Sequence, residues 1–194
     1  RLGPSVFIHG PNILIDTPEE ISIQLNRANI KKIDMCLYSH WHFDHTAGKR
    51  VFEFGMDLIG IPPQNKSTNI TLTKTLAKTF QKCYEIMSYF KFLESQNIVV
   101  LNIINDTETF FLKDYSITPI QMKFDYVFGY VVSTKLKSIL ILMDEIKHWN
   151  PQKWILEQRF DLVYLPLGVV DINPITKIRN ISKDHPDLED HHTV

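Results

Sequence analysis

Ten residues, Ser39 to Gly48, read SHWHFDHTAG, and within six positions they set His40, His42, Asp44 and His45, all metal-ligating types. The run before them, Ile33 to Tyr38 (IDMCLY), is mostly apolar with β-branched and aromatic members and reads as a buried strand. The run after them, Lys49 to Phe54, reads as the opening of a helix. Mixed α/β folds put their chemistry at such a place, where a strand tip turns into a helix. An extended His-x-His points both imidazoles to one side, so His40 and His42 can share one cation. Asp44 and His45 follow where the chain turns and can aim at a second position close by. Two metals roughly 3.5–4 Å apart activate a water between them and clamp a transferring phosphoryl or acyl oxygen. The competing reading is a pair of surface histidines beside a helix-capping Asp; three histidines and a carboxylate rarely crowd together without a charge to bind.

HWHFDH resembles the His-x-His-x-Asp-His signature of the metallo-β-lactamase superfamily of metal-dependent hydrolases. NILIDTPEE, Asn12 to Glu20, resembles that family's early strand ending in Asp. Within the superfamily, residues 1–34 look most like the branch of phosphodiesterases that act on cyclic ribose phosphates in phosphonate breakdown. The likeness is specific over residues 1–55; FGYVV, ILILMDE and DLVYLPLG further down are looser matches. It implies a four-layer αββα sandwich of two sheets with helices outside. Periodicity by itself shows only a mixed α and β chain.

The resemblance also implies roles. Asp16 supports the ligand loop from behind; its other reading is an N-cap for a helix opening at Thr17-Pro18-Glu19-Glu20. Asp144, at the end of the run ILILMD, bridges two metals, one carboxylate oxygen on each; its other reading is a cap for a helix from Glu145 to Glu157. His185, in a DHP tripeptide, is the late histidine expected at the site, while His191 and His192 read as the start of an outer helix and His148 as a surface residue. The family supplies one more histidine from the region of Pro119–Gly129, which here reads PIQMKFDYVFG and has none. Phe124 stands about where it is expected. Asp125 is the candidate replacement, as an oxygen ligand for a hard divalent ion, or else a turn residue.

The rest of the chain is read from pattern. Ser5 to His9 and Ile13 to Asp16 form a hairpin around Gly10-Pro11-Asn12. A helix then carries Ile21, Ile23, Leu25 and Ile30 toward a core. Asp57 to Ile61 is a short strand. Apolar residues at three- and four-residue intervals from Ile70 to Leu93 predict an inserted helical segment, packed on the domain or covering the site. From Ile98 the runs IVVLNII, TFFL, SITPIQM, YVFGYVV and SILILMD, separated by polar turns, predict an antiparallel sheet. Asp161 to Pro166 reads as a buried strand.

With 194 residues and 44% hydrophobic content, one well-buried domain is expected over residues 1–194. With Arg1 in place of Met and a tail reading DLEDHHTV, the expectation is a fragment at both ends or a chain with disordered residues left out. A net charge of −1 without a basic stripe argues against a nucleic-acid partner, though not against a nucleotide-sized substrate. No apolar run is long enough to span a bilayer. Cys36 and Cys83 make no disulfide framework and point to a reducing cytoplasm.

The function expected is therefore a cytoplasmic metal-dependent hydrolase, with a homodimer as one assembly open to it, taking a small phosphorylated substrate. A water activated by two divalent ions, zinc first and manganese or iron as alternatives, attacks a small or cyclic phosphodiester. His40, His42, Asp44, His45 and Asp144 hold the ions, and Asp44 also accepts the water's proton. Lys49 or Lys123 would hold an anionic group. The alternatives are a thioesterase or lactonase resembling glyoxalase II, and a non-catalytic binding protein that keeps the fold.

Overall fold

The computed structural model describes residues 2–55, 67–146 and 149–166. The expected strand at 57–61 and the candidate ligand His185, with His148, His191 and His192, lie outside the described residues.

The first sheet runs in the order β1 (Val6–Ile8), β2 (Ile13–Ile15), β3 (Met35–Leu37), β4 (Thr68–Thr73), β5 (Val99–Ile104). Only β1 and β2 pair antiparallel, as the hairpin expected around Gly10-Pro11-Asn12; the other neighbours are parallel. Parallel strands covered on both faces read as continuous apolar runs, and Ile13, Leu14, Ile15, Cys36 and Leu37 are fully buried. The second sheet runs β10 (Leu162–Tyr164), β9 (Ser138–Ile141), β8 (Phe128–Ser133), β7 (Tyr115–Gln121), β6 (Phe110–Leu112). It is antiparallel apart from β10 with β9. Here the strand period of two is clean: Phe128, Tyr130 and Val132 join the main core with the first sheet, while Val131, Leu140 and Leu142 face a second cluster with Ile155 of α5 (Lys153–Glu157). The other helices, α1 (Ile21–Arg27), α3 (Lys74–Lys82) and α4 (Ile86–Ser95), bring buried Ile21, Leu76, Phe80, Phe90 and Leu93 to the main core. Two sheets with helices outside match the architecture implied by the resemblance.

Four expectations are corrected. The helical stripe begins at Lys74, not Ile70: Thr68–Thr73 is a strand between β3 and β5. TNITLT is rich in β-branched residues, and the Leu72–Leu76 spacing that looked helical straddles a boundary where the Thr73 hydroxyl accepts the Leu76 N–H and caps α3. The stripe is also broken in two, because Tyr84 and Glu85 both take left-handed backbone, each at φ 52°. β5 pairs parallel with β4 in the first sheet, so the antiparallel run begins later than Ile98. Ile23 is 47% exposed, since a helix seven residues long buries only one stripe, here Ile21 and Leu25. β10 is an exposed edge strand of the described sheet rather than a buried one. No described helix is long and apolar enough to cross a membrane.

The two sheets are tied together by Asp34. Its carboxylate takes Lys32 at 2.7 Å, Asn12 at 3.2 Å and, from the β6–β7 turn, Lys113 at 2.9 Å. Burial alone would raise this carboxyl, but Lys32, Lys113 and Asn12 outweigh it and hold it below its ordinary value. The stabilisation is thus present above the unfolded value of about 3.9 and is lost as pH falls through the lower folded value. Both lysines are half exposed, which limits the ion pairs to roughly 1 kcal/mol. Urea unfolding of an Asp34→Asn variant is expected to show a small loss at neutral pH and a flatter decline below about pH 4. An acid decline as steep as that of the parent would rule this contribution out.

Candidate metal centre

β3 delivers its chain into Ser39 and His40, and a four-residue helix α2 (Phe43–Thr46) follows at once. Two backbone-directed bonds close the loop. The His45 N–H donates to the His42 carbonyl at 3.0 Å, and the Thr46 hydroxyl donates to the same oxygen at 3.0 Å. A 3-10 turn, Ala47–Gly55, continues from α2 where a helix had been expected. The Thr17–Pro18 segment is pressed against this loop: Thr17 N–H donates to His45 O at 2.7 Å and Gly48 N–H to Thr17 O at 2.8 Å. A Cβ at position 48 would stand 2.0 Å from the Pro18 carbonyl oxygen, so the last residue of the motif must be glycine for the two segments to meet.

That contact sets Asp16 behind the histidines. Asp16 follows β2 in left-handed backbone (φ 63°) and is fully buried. Its Oδ1 accepts the Ser39 N–H at 2.7 Å, and its Oδ2 accepts the Ser39 hydroxyl at 2.6 Å and His45 Nδ1–H at 2.7 Å. It caps no helix; the N-cap of α1 is Glu20. With its proton given to Asp16, the Ser39 oxygen is an acceptor for His40 Nδ1–H at 3.0 Å. Asp16 and Ser39 together therefore hold both buried imidazoles as Nδ1–H forms, with His40 Nε2 and His45 Nε2 pointing away from the core.

The outward nitrogens meet the remaining candidates. His40 Nε2 lies 2.9 Å from His42 Nδ1. Among the described residues His45 Nε2 is buried without a hydrogen-bond partner, and it stands 3.6 Å from Asp44 Oδ2 and 3.6 Å from Asp144 Oδ2. The ligand atoms of His40, His45 and Asp144 all lie within 4.8 Å of one another. Asp144 comes from the end of the second sheet, and Glu145 after it has φ 57°, so no helix starts there and the capping reading of Asp144 fails. Its Oδ1 accepts the Glu145 N–H at 2.8 Å, which leaves Oδ2 toward His45.

The electrostatics follow from burial and neighbours. Burial, then His45 and His42 beside it, push the His40 pKa down to about 3, so this ring is a neutral nitrogen donor. Burial works against charge on His45 as well, but Asp16, then Asp144 and Asp44, outweigh it and push its pKa up to about 10. Asp144 is held below the ordinary carboxylate value, by His45 first and against the effect of its own burial. Two facing imidazole nitrogens and a buried His45 Nε2 whose carboxylate neighbours draw a proton onto it form a donor set that attracts positive charge. A divalent cation fits it, since both kinds of ligand suit such ions and the orphaned His45 Nε2 would gain its missing partner.

Five of the expected residues thus converge: His40, His42, Asp44, His45 and Asp144, with Asp16 behind them. Asp125 does not join them; it is exposed in the β7–β8 turn, where Gln121 bonds its carbonyl rather than its carboxylate. That turn is closed by its own backbone bonds, Met122 N–H to Val127 O and Val127 N–H to Phe124 O. The turn reading of Asp125 is the one that the geometry matches. Two residues went unread in the sequence. Ser39, the hub between Asp16 and both histidines, was signalled only by its place next to His40. Tyr126, whose ring centroid lies 6.4 Å from that of His42, carries no local signal.

A cavity of about 750 Å³ opens on Asp44 and Asp144 and is lined also by Phe43, Met143, Tyr164 and Glu19.

No protein-family model matches the chain, and no curated protein is detectably similar in sequence. Among solved structures, the chain is similar to the metallo-β-lactamase fold protein YhfI from Bacillus subtilis, with 13% identity, a TM-score of 0.61, and 84% of this chain and 63% of that one covered. It is similar to zinc-bound PqqB from Methylobacterium extorquens, at 14% identity and a TM-score of 0.52, over 70% of this chain and 50% of that one. A diphosphatase from the PhnP family matches at 21% identity and a TM-score of 0.52, over 72% of this chain and 51% of that one. The chain spans from half to under two thirds of the length of these structures. The fold is that of the metallo-β-lactamases.

Proposed function

We propose that the chain is a metal-dependent hydrolase of small or cyclic phosphodiesters. One observation carries the reading: a buried, unpaired His45 Nε2 faces two carboxylates at 3.6 Å beside a His40–His42 pair whose nitrogens meet at 2.9 Å. His40 Nε2 and His42 Nδ1 would hold one divalent ion. Asp44, His45 and Asp144 would hold the second. Zinc is the first candidate, manganese and iron the others. Ions bound there supply Lewis acidity and make water a nucleophile at neutral pH.

The chain's own residues do the rest. Asp16 and Ser39 lock the two buried imidazoles, which spares the site reorganisation when it is loaded. Asp44, whose side chain is 63% exposed, can turn one oxygen to the water and accept its proton. A cation on the β7–β8 turn supports phosphorus over a thioester carbonyl. Lys123 Nζ lies 5.5 Å from the Phe124 ring, on the same turn as Tyr126. The reacting group of a thioester is neutral, whereas a phosphodiester carries its charge on the reacting group itself.

Elemental analysis of protein expressed without chelators is expected to find close to two equivalents of metal per chain, with hydrolysis of a cyclic phosphodiester that a chelator abolishes. Lys123→Glu should slow phosphodiester hydrolysis and spare thioester hydrolysis; the reverse pattern would select the thioesterase reading. A chain that takes up no metal on reconstitution would retain only the fold and the binding-protein reading.

A further inference from the structure

Aromatic rings border the donor cluster in a continuous strip. Phe43 and Tyr84 lie 4.3 Å apart between centroids, Tyr84 and Trp41 5.9 Å, Trp41 and Tyr126 6.5 Å, and Tyr126 and Phe124 5.8 Å. Trp41 is also in edge contact with His42 at 4.5 Å. Three separate segments supply these rings: the ligand loop, the joint between α3 and α4, and the β7–β8 turn. Phe43 is 49% exposed, Tyr84 63% and Phe124 38%. One exposed aromatic needs no account, but three exposed rings joined through half-buried Trp41 and Tyr126 on the rim of one site do.

Core packing does not explain Tyr84. The spacing of the helical stripe assigns it to the buried face with Phe80 and Met87. Two successive non-glycine residues in left-handed backbone turn it out instead, a conformation that side chains avoid and that tends to occur where function requires it. It is turned toward Trp41 and Phe43. Phe43 in turn lines the cavity that opens on Asp44 and Asp144, so the strip begins where the cavity ends.

We propose that this strip binds a nucleobase, so that the substrate is a nucleotide-type phosphodiester whose base stacks on the rings while its phosphate lies at the donor cluster. The proposal rests on the phosphodiesterase reading of the centre. Stacking on a ring face is open to every base, because each has a π-face, and needs no hydrogen-bond readout. An aliphatic group would gain burial alone, whereas a flat ring also gains the offset and tilted contacts that these five already make with one another. A substrate group is favoured over a protein partner because the strip touches His42 itself, and a docked protein there would stand over the donor cluster.

The test compares two phosphodiesters with metal-loaded protein: a 2′,3′-cyclic nucleotide and the base-less ribose 2,3-cyclic phosphate. The base-bearing substrate is expected to have a kcat/KM about tenfold higher, carried by KM, in line with one stacked base. Tyr84→Ala should remove most of that preference, and Tyr84→Phe should keep it. A second readout needs no turnover. With Trp149 and Trp154 replaced by Phe, adenosine monophosphate should quench Trp41 fluorescence saturably, ribose 5-phosphate should not, and Tyr84→Ala should weaken the quenching. Equal kcat/KM for both substrates, or an equal loss on both in Tyr84→Ala, would overturn the proposal and leave the hydrolase reading standing. Absent quenching would overturn it too, as would self-association lost in Tyr84→Ala with the nucleotide response unchanged. Hydrolysis of neither substrate, with quenching intact and dependent on Tyr84, would support the strip and remove the phosphodiesterase reading.

Discussion

Asp16→Ala is expected to lower the melting temperature by roughly 6–12 °C, the equivalent of about 3 kcal/mol in a chain of this size, and to weaken metal retention by roughly ten- to a hundredfold. The residue is fully buried and satisfies three donors at once: the Ser39 N–H, the Ser39 hydroxyl and His45 Nδ1–H. Alanine strands all three where water does not reach, and an unpaired buried donor costs about 1–3 kcal/mol. Asp16→Asn separates two parts of the effect. Its amide oxygen can still accept the Ser39 N–H, but its NH2 group then faces two further donors, so His45 loses the bond that fixes its Nδ1–H form. The asparagine variant should therefore recover part of the stability and little of the metal retention. Scanning calorimetry with and without metal, and a chelator competition, measure both. A variant as stable and as metal-retentive as the parent would show that Asp16 does not organise the centre.

The second large effect is expected at Asp144. Asp144→Ala should reduce the proposed phosphodiesterase activity by about a hundredfold or more, because the site would hold its ions with one ligand fewer. The fold should hardly respond. The side chain is 44% exposed, and among the described residues its one backbone bond is to the adjacent Glu145 N–H. This split sets Asp144 apart from Asp16: large loss of rate and of metal stoichiometry, small loss of melting temperature. Full activity with two metals bound would mean that the bridging carboxylate is elsewhere. A collapse of stability comparable to that of Asp16→Ala would mean that Asp144 is structural.

These predictions differ in how far they were legible beforehand. The donor cluster could be read directly, because a strand run followed by His-x-His-x-Asp-His is a local instruction. Strand geometry sends His40 and His42 to one side, and the turn sends Asp44 and His45 onward. Asp16 was legible through a motif at the end of β2, but its two readings, cap or support, differ only in what lies opposite it. The resolving fact is the parallel pairing of β2 with β3, which sets Asp16 beside Ser39. Asp144 was open in the same way until Glu145 showed no helix beginning there.

What misled was periodicity at a boundary. Leu72 and Leu76 keep helical spacing, yet one belongs to β4 and the other to α3, and both are fully buried. A strand inside a parallel sheet and a helix packed on it both present apolar residues to the same core, so spacing alone does not tell where one stops. Residue type makes Asp125 a candidate ligand, but its turn closes on itself and leaves the carboxylate exposed.

The sequence by itself determined the ligand types and their local geometry on one loop, because each depends on a few bonded neighbours. Only the tertiary structure decided which distant carboxylates meet those histidines and which rings share their rim. Asp16, Tyr84, Tyr126 and Asp144 arrive from four separate segments. Their meeting is set by sheet order and by two strained backbone positions, and neither is written in the spacing of any one segment.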